Sequence, residues 1–191
     1  MLTDTQPGTH RNIFRGKLVR LAAQDTEHDG ESLARWSLDS EYLRLLDSDP
    51  ARPRTAKQWQ DDLGKRQERD HVFAFNIRAL EGDRLIGFAN LWIENWASGE
   101  AGVGIGLGDR SDWGKGFGTD AMRLVLHYAF AELNLARVSL EAFAQNPRAI
   151  RSYEKAGFSL EGTQREWARR DGRRWDVVSM GILREDYQSP A

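Results

Sequence analysis

Apolar and polar positions change period several times along the 191-residue chain, and each change marks an element. Lys17-Leu18-Val19-Arg20-Leu21 alternates as a first strand does. Over residues 31–46 the apolar positions Leu33, Trp36, Leu38, Tyr42, Leu45 and Leu46 recur at roughly helical intervals, stopping at Asp47-Ser48-Asp49-Pro50. One broken helix or two short ones fit. Pro50 and Pro53 mark a loop, Thr55 suits an N-cap, and residues 56–68 read as a polar helix with Trp59 and Leu63 inward. Period two returns over residues 71–79 and 84–96, separated by the turn residues Glu81-Gly82-Asp83, so this is a hairpin. A third strand after Ser98-Gly99 completes an antiparallel meander.

The second half continues with a helix over about 119–133, whose Met122, Val125, Leu126, Ala129 and Leu133 share one face. A strand over residues 137–144 follows through a crossover, so it is expected parallel to the one before the helix. Asn146-Pro147 opens a short helix and Gly157 closes it. Residues 158–170 and 173–183 form a last hairpin around Asp171-Gly172. Trp167 and Trp175 are expected to pair across it, and Trp36, Trp59, Trp92 and Trp96 to line the core or a pocket. Arg165, Arg169, Arg170, Arg173 and Arg174 read as a solvated edge, or more sharply as a dimer contact or a seat for an acidic protein. Residues 1–13 have little to bury and are expected to be a disordered tail, leaving 14–191 as a single α+β domain without repeat or linker.

One stretch organises the rest. In Gly102-Val103-Gly104-Ile105-Gly106-Leu107-Gly108 the apolar residues share one face of a strand and the four glycines the other. A face kept free of side chains is expected to have something lying against it. The strand leads into Trp113-Gly114-Lys115-Gly116-Phe117-Gly118-Thr119 and then the helix. Free backbone N–H groups and the positive helix end suit a phosphate or pyrophosphate there. The nucleotide-triphosphate loop does not match: Gly114 comes a residue too late after Gly108, and Lys115 is followed by Gly116. The dinucleotide fingerprint fails because Thr119 stands where its third glycine belongs. A strand-to-helix turn needing glycine only for geometry also fits.

Composition narrows the classes. With 27 basic and 29 acidic residues the net charge is -2, which gives no reason to expect nucleic acid or membrane partners. No cysteine is present, which removes thiol nucleophiles, thiolate metal sites and disulfides. His10, His28, His71 and His127 lack ligand spacing, so no metal is expected. No apolar run approaches a membrane span and residues 1–15 lack a signal-peptide core, so a cytoplasmic protein is expected.

The glycine loop resembles the R/Q-x-x-G-x-G/A pyrophosphate loop of the GNAT superfamily of acyl-coenzyme A N-acyltransferases, with Trp113 in the first position and Gly116 and Gly118 in the fourth and sixth. Trp113 departs from the usual Gln or Arg. Asn146 with Tyr153-Glu154-Lys155-Ala156-Gly157-Phe158 is similar to a second segment of the same superfamily, one strand and one helix later. The likeness extends over about 84–187 and is nearest the branch of ribosomal-protein N-terminal and spermidine acetyltransferases; Glu161-Gly162, Asp176, Met180 and Asp186-Tyr187 fit it too. The resemblance implies a mixed, mostly antiparallel sheet of about seven strands with about four helices, its central parallel strands splayed around acetyl-coenzyme A.

The implied site has backbone groups of Ile105, Gly106 and Leu107 on the pantetheine arm. Trp113, Gly114, Lys115, Gly116, Phe117, Gly118 and Thr119 would surround the pyrophosphate, and Asn146, Arg151 and Ser152 are further coenzyme contacts. Arg148, Arg151 and Lys155 would meet the ribose phosphate or form a solvated basic face. Tyr153 would give a proton to the departing sulfur, and Glu94, or less well Glu100, would take one from the acceptor amine. The acceptor is expected to be a protein N-terminus, a polyamine or a small amine, attacked directly in a ternary complex. A homodimer is a common state of such proteins. The competing reading is a non-catalytic acyl-coenzyme A binding module.

Overall fold

A computed structural model describes residues 12–188; the tail expected over 1–13 falls almost wholly outside them. Strands β1 (Val19–Ala22), β2 (Val72–Ala79), β3 (Leu85–Asn95), β4 (Glu100–Leu107), β5 (Arg137–Phe143), β6 (Ser159–Arg170) and β7 (Arg173–Leu183) form one sheet in the order β1-β2-β3-β4-β5-β7-β6. All neighbours are antiparallel except β4 and β5. The α-helices are α1 (Asp29–Trp36), α2 (Ser40–Leu46), α3 (Ala56–Gln67), α4 (Phe117–His127) and α5 (Pro147–Ala156). Among the described residues there are five rather than about four, because the early apolar run breaks in two. At the break the Asp39 carboxylate accepts from the N–H groups of Glu41 (3.0 Å) and Tyr42 (3.3 Å), which starts α2 afresh. Thr55 and Gln58 cap α3 reciprocally.

The period-two pattern sorts the sheet into two faces. Ile77, Ala89, Leu91 and Val103 lie on one side and pack with Met122, Val125 and Leu126 of α4 in the main core. The α4 helix begins at Phe117, two residues earlier than its apolar spacing suggests, and continues into a π-helical turn over Tyr128–Glu132. On the other side Phe88, Asn90 and Trp92 stand opposite Gly106, Gly104 and Gly102. The face expected to be bare is therefore largely covered by the chain's own rings. A Cβ on Gly102 would overlap the Trp92 indole, and one on Gly108 the Trp36 indole. Trp36, Tyr42, Leu33 and Leu63 form a second core on this side.

The last hairpin departs from its expected pairing. Asp171 (φ 51°) and Gly172 (φ 69°) make the turn, but β6 bulges between Gln164 and Ala168, with Glu166 at φ 56°. The turn itself sets Arg170 opposite Arg173 and Ala168 opposite Trp175, so Trp167 and Trp175 are not cross-strand partners: Trp175 packs edge-on against Phe143 at 5.8 Å, while Trp167, within the bulged segment, is exposed. Arg170 leaves the expected solvated edge: its guanidinium donates to the backbone carbonyls of Arg44, Asp47 and Asp49, tying the hairpin to the end of α2.

Candidate active site

Strands β4 and β5 pair only at Glu100–Gly102 with Arg137–Ser139, then diverge. Gly108 N–H donates to the Ile86 carbonyl at 3.0 Å, so the backbone groups of alternate residues Gly106 and Gly104 also face β3. Those of Ile105 and Leu107 then point into the gap, where β5 offers no partner. An extended chain with its own amide groups fits this edge, because strand backbone needs donors and acceptors beside it.

The gap opens onto a cavity of about 640 Å³ that runs to the start of α4. Gly114 (φ 76°) and Gly116 (φ 89°) adopt the left-handed backbone that favours glycine, and Gly116 is the N-cap of α4. Gly118 is different. It is helical, and a Cβ there would find only ordinary contacts, Ser152 Oγ at 3.5 Å and a Leu107 methyl at 3.7 Å. Neither conformation nor packing explains a glycine, whereas its place in the cavity lining, in the first turn of a helix with free N–H groups, does. This cradle is the feature that fits the coenzyme's pyrophosphate.

Trp113 is fixed by its indole N–H on the Leu107 carbonyl (2.8 Å), and the Arg148 guanidinium stacks 3.7 Å from its ring centroid. The Thr119 and Ser152 hydroxyls meet at 2.8 Å, joining α4 to α5. Asn146 caps α5, its side-chain oxygen accepting from Ala149 N–H at 3.2 Å. These residues, together with Ile105, Gly106, Leu107, Gly114, Gly116, Phe117, Gly118, Arg151 and Tyr153, all line the one cavity. Burial raises the Tyr153 phenol to about 12, an effect only partly offset by Arg148, so the group keeps its proton across the physiological range.

Three expected residues lie elsewhere. Lys115 is exposed and outside the cavity lining. Glu94 is exposed, accepts from the Trp92 indole, and is also outside the lining. The register puts it six residues along β3 from Phe88, the partner of Gly106, or roughly 20 Å at strand rise. Glu100 lies at that same far end, beside Asn95. Sequence reasoning missed the other end of the cavity, where Tyr42, Leu45 and Leu46 of α2 stand over Gly106; a Cβ on Gly106 would come within 3.1 Å of the Tyr42 hydroxyl and 3.0 Å of Leu46. The helical spacing of these residues was visible, but it reads equally as plain core. Lys17, Leu18 and Arg123 also line the cavity. The Asp120 carboxylate accepts from the N–H groups of Lys17 (3.3 Å), Leu18 (2.7 Å) and Val19 (3.0 Å), which pins the chain entering β1 to the first turn of α4.

Comparison with known proteins agrees with this geometry. A family model described as an acetyltransferase (GNAT) domain matches residues 19–159. The probable N-acetyltransferase YjcK of Bacillus subtilis (strain 168) is 38% identical over 123 residues, 64% of this chain and 67% of that protein. An aminoglycoside N(6')-acetyltransferase type 1 of Klebsiella pneumoniae is 30% identical over 148 residues, 72% of this chain and 73% of its own. Among solved structures, spermidine N-acetyltransferase from Vibrio cholerae in complex with CoA and spermine superposes with TM-score 0.78 at 24% identity, covering 88% of this chain and 97% of that one. The chain belongs to the GNAT acetyltransferases, enzymes that transfer acetyl groups.

Proposed function

We propose that the cavity holds acetyl-coenzyme A, with its pantetheine arm along the unpaired edge of β4 and its pyrophosphate at the start of α4, and that a primary amine enters from the α2 side. The single observation carrying this is the strand splay that leaves the Ile105 and Leu107 N–H groups without a β5 partner, beside a helix start whose Gly118 lines the same cavity. Bound there, acetyl-coenzyme A supplies an activated acyl group and a thiolate leaving group. Backbone N–H groups at Ile105 and Leu107 are placed to receive hydrogen-bonding oxygens, including the thioester carbonyl. Cationic Arg151 and Lys155 on α5, with Lys17 and Arg123, give the phosphate end its counter-charges.

The amine nitrogen bonds to the acetyl carbon as the C–S bond breaks and its electron pair goes to sulfur. Tyr153 Oη gives its proton to that sulfur and recovers one from the bulk, while the amine loses one. No cysteine is available to carry the acyl group, so transfer is direct within a ternary complex. Thiol release from acetyl-coenzyme A over a panel of amines tests the reading, beside Tyr153→Phe. The expected result is turnover with at least one amine and, for the variant, a loss of roughly 100-fold or more in the chemical rate with acetyl-coenzyme A affinity kept. Tight coenzyme binding with no thiol release for any amine contradicts it.

A further inference from the structure

The acceptor end of the cavity is chemically distinct from the phosphate end, and its lining restricts the amine. Tyr42, Leu45 and Leu46 make it apolar apart from one hydroxyl. That hydroxyl is buried and without a hydrogen-bond partner, directly over Gly106. An unmade bond of this kind asks for a ligand group. Among the described residues the cavity lining has two carboxylates and no imidazole. Asp112 is held by two bonds from Arg84 (2.8 and 2.7 Å), and Asp120 is occupied by three backbone N–H groups. Acids at the start of α2 are also taken, Asp39 and Glu41 by Arg110, and Asp171 of the last hairpin is paired with Arg44 of α2.

From this neutral, apolar end we infer that the acceptor is an α-amino group carried beside an apolar side chain, such as a peptide N-terminus, and not a polyamine or a lysine-like ε-amine. The inference rests on the acetyl-transfer reading above. Two physical arguments support it. A polycation needs carboxylates for its distal ammonium groups, and the acids named above already have a cation or a backbone partner. The amine must also arrive unprotonated, because no free carboxylate or imidazole among the described lining residues can take its proton. At pH 7.5 an α-amine of pKa ~7.7–8.0 is about one third neutral, against about 0.1% for an amine of pKa ~10.4. Weaker bases are weaker nucleophiles, which returns part of that ratio and leaves an advantage on the order of tenfold or more. Tyr42 Oη accepts one amine hydrogen and so aims the nitrogen lone pair at the acetyl carbon; the proton lost on bond formation passes to solvent, and Tyr153 protonates the sulfur.

The test compares three acceptors by thiol release between pH 6.5 and 9.5: a lysine-free peptide with free N-terminal leucine, the same peptide Nα-acetylated with one lysine added, and spermidine. Acetyl-coenzyme A binding is measured separately by calorimetry. The expected result is a kcat/KM at least about tenfold higher for the free N-terminus, with its pH profile bending at about pH 8 and level by about pH 9 as that amine becomes neutral. Tyr42→Phe is expected to raise the peptide KM by about three- to tenfold, with the acetyl-coenzyme A KM unchanged. Equal or better use of spermidine or the lysine peptide overturns the inference and leaves acetyl transfer standing. Release of thiol with none of the three, while calorimetry shows acetyl-coenzyme A bound, overturns both.

Discussion

Gly118→Ala separates what folding needs from what binding needs, since the two point in opposite directions at this position. Gly118 is the second residue of α4 and has ordinary helical backbone. Its added Cβ would meet Ser152 Oγ at 3.5 Å and Leu107 Cδ1 at 3.7 Å, which is normal contact. Nothing in the fold therefore resists alanine, and replacing a helical glycine contributes ~0.5–1 kcal/mol, somewhat less in a first turn. For a domain of this size that is a rise in Tm of about 1–4 °C. Gly118, Ser152 and Leu107 all line the cavity, so the same methyl narrows it beside the first N–H groups of α4, where the proposed phosphate oxygens would bond. Losing one charge-assisted bond there removes ~1.5–3 kcal/mol, or roughly 10- to 150-fold in affinity for coenzyme A. Scanning calorimetry and isothermal titration on the same preparation read both effects. A lowered Tm would refute the packing argument, and an unchanged coenzyme A affinity would refute the cradle.

Other consequences follow from single contacts. Asp120→Asn leaves the N–H groups of Lys17, Leu18 and Val19 with a weaker, uncharged acceptor, so Tm should fall by several degrees; because it also removes a negative charge beside the anion site, affinity for 3'-phospho-ADP should hold or rise. A parallel loss of both would show that Asp120 serves the ligand directly. Gly108→Ala drives a methyl into the Trp36 indole and should destabilise by about 1–3 kcal/mol or more, with an altered tryptophan emission; wild-type stability would contradict the packing of α1 on β4. Asp39, hydrogen-bonded to Arg110 and to the start of α2, has its carboxyl held down to about 2. A lowered carboxyl pKa stabilises fully above the unfolded value and less as pH falls through the folded one. The stability gap between wild type and Asp39→Asn, from urea titrations, should thus be constant above about pH 4 and close towards pH 2; a gap independent of pH would refute the ion pair's role.

Local rules made much of this readable beforehand. Period-two stretches gave the strands, Asn146-Pro147 and Gly157 bounded α5, and Asp171-Gly172 made its turn. The loop from Trp113 to Thr119 and the Tyr153 segment carried the family likeness, and the loop, Lys115 apart, lines one cavity with Tyr153 and Lys155. What was hidden depends on contacts distant in sequence. The four glycines of β4 announce that something lies on them, but not that Trp36, from more than sixty residues earlier, is the neighbour of Gly108. Tyr42 gained its place only through the packing of α2 over Gly106. Glu94 looked well placed on a strand adjoining the site; only the register reveals how far along that strand it lies. Counting back from the Asp171-Gly172 turn already puts Ala168, not Trp167, opposite Trp175; what the sequence hides is the bulge at Glu166, whose positive φ no composition rule foretells.

The most direct measurement is a crystal structure of the protein with coenzyme A. The account predicts the pantetheine arm between β4 and β5, its amides paired with Ile105 and Leu107, the pyrophosphate on the N–H groups of residues 116–119, and the sulfur within hydrogen-bonding reach of Tyr153 Oη. Coenzyme A seated outside this cleft, or a sulfur remote from Tyr153, would contradict it.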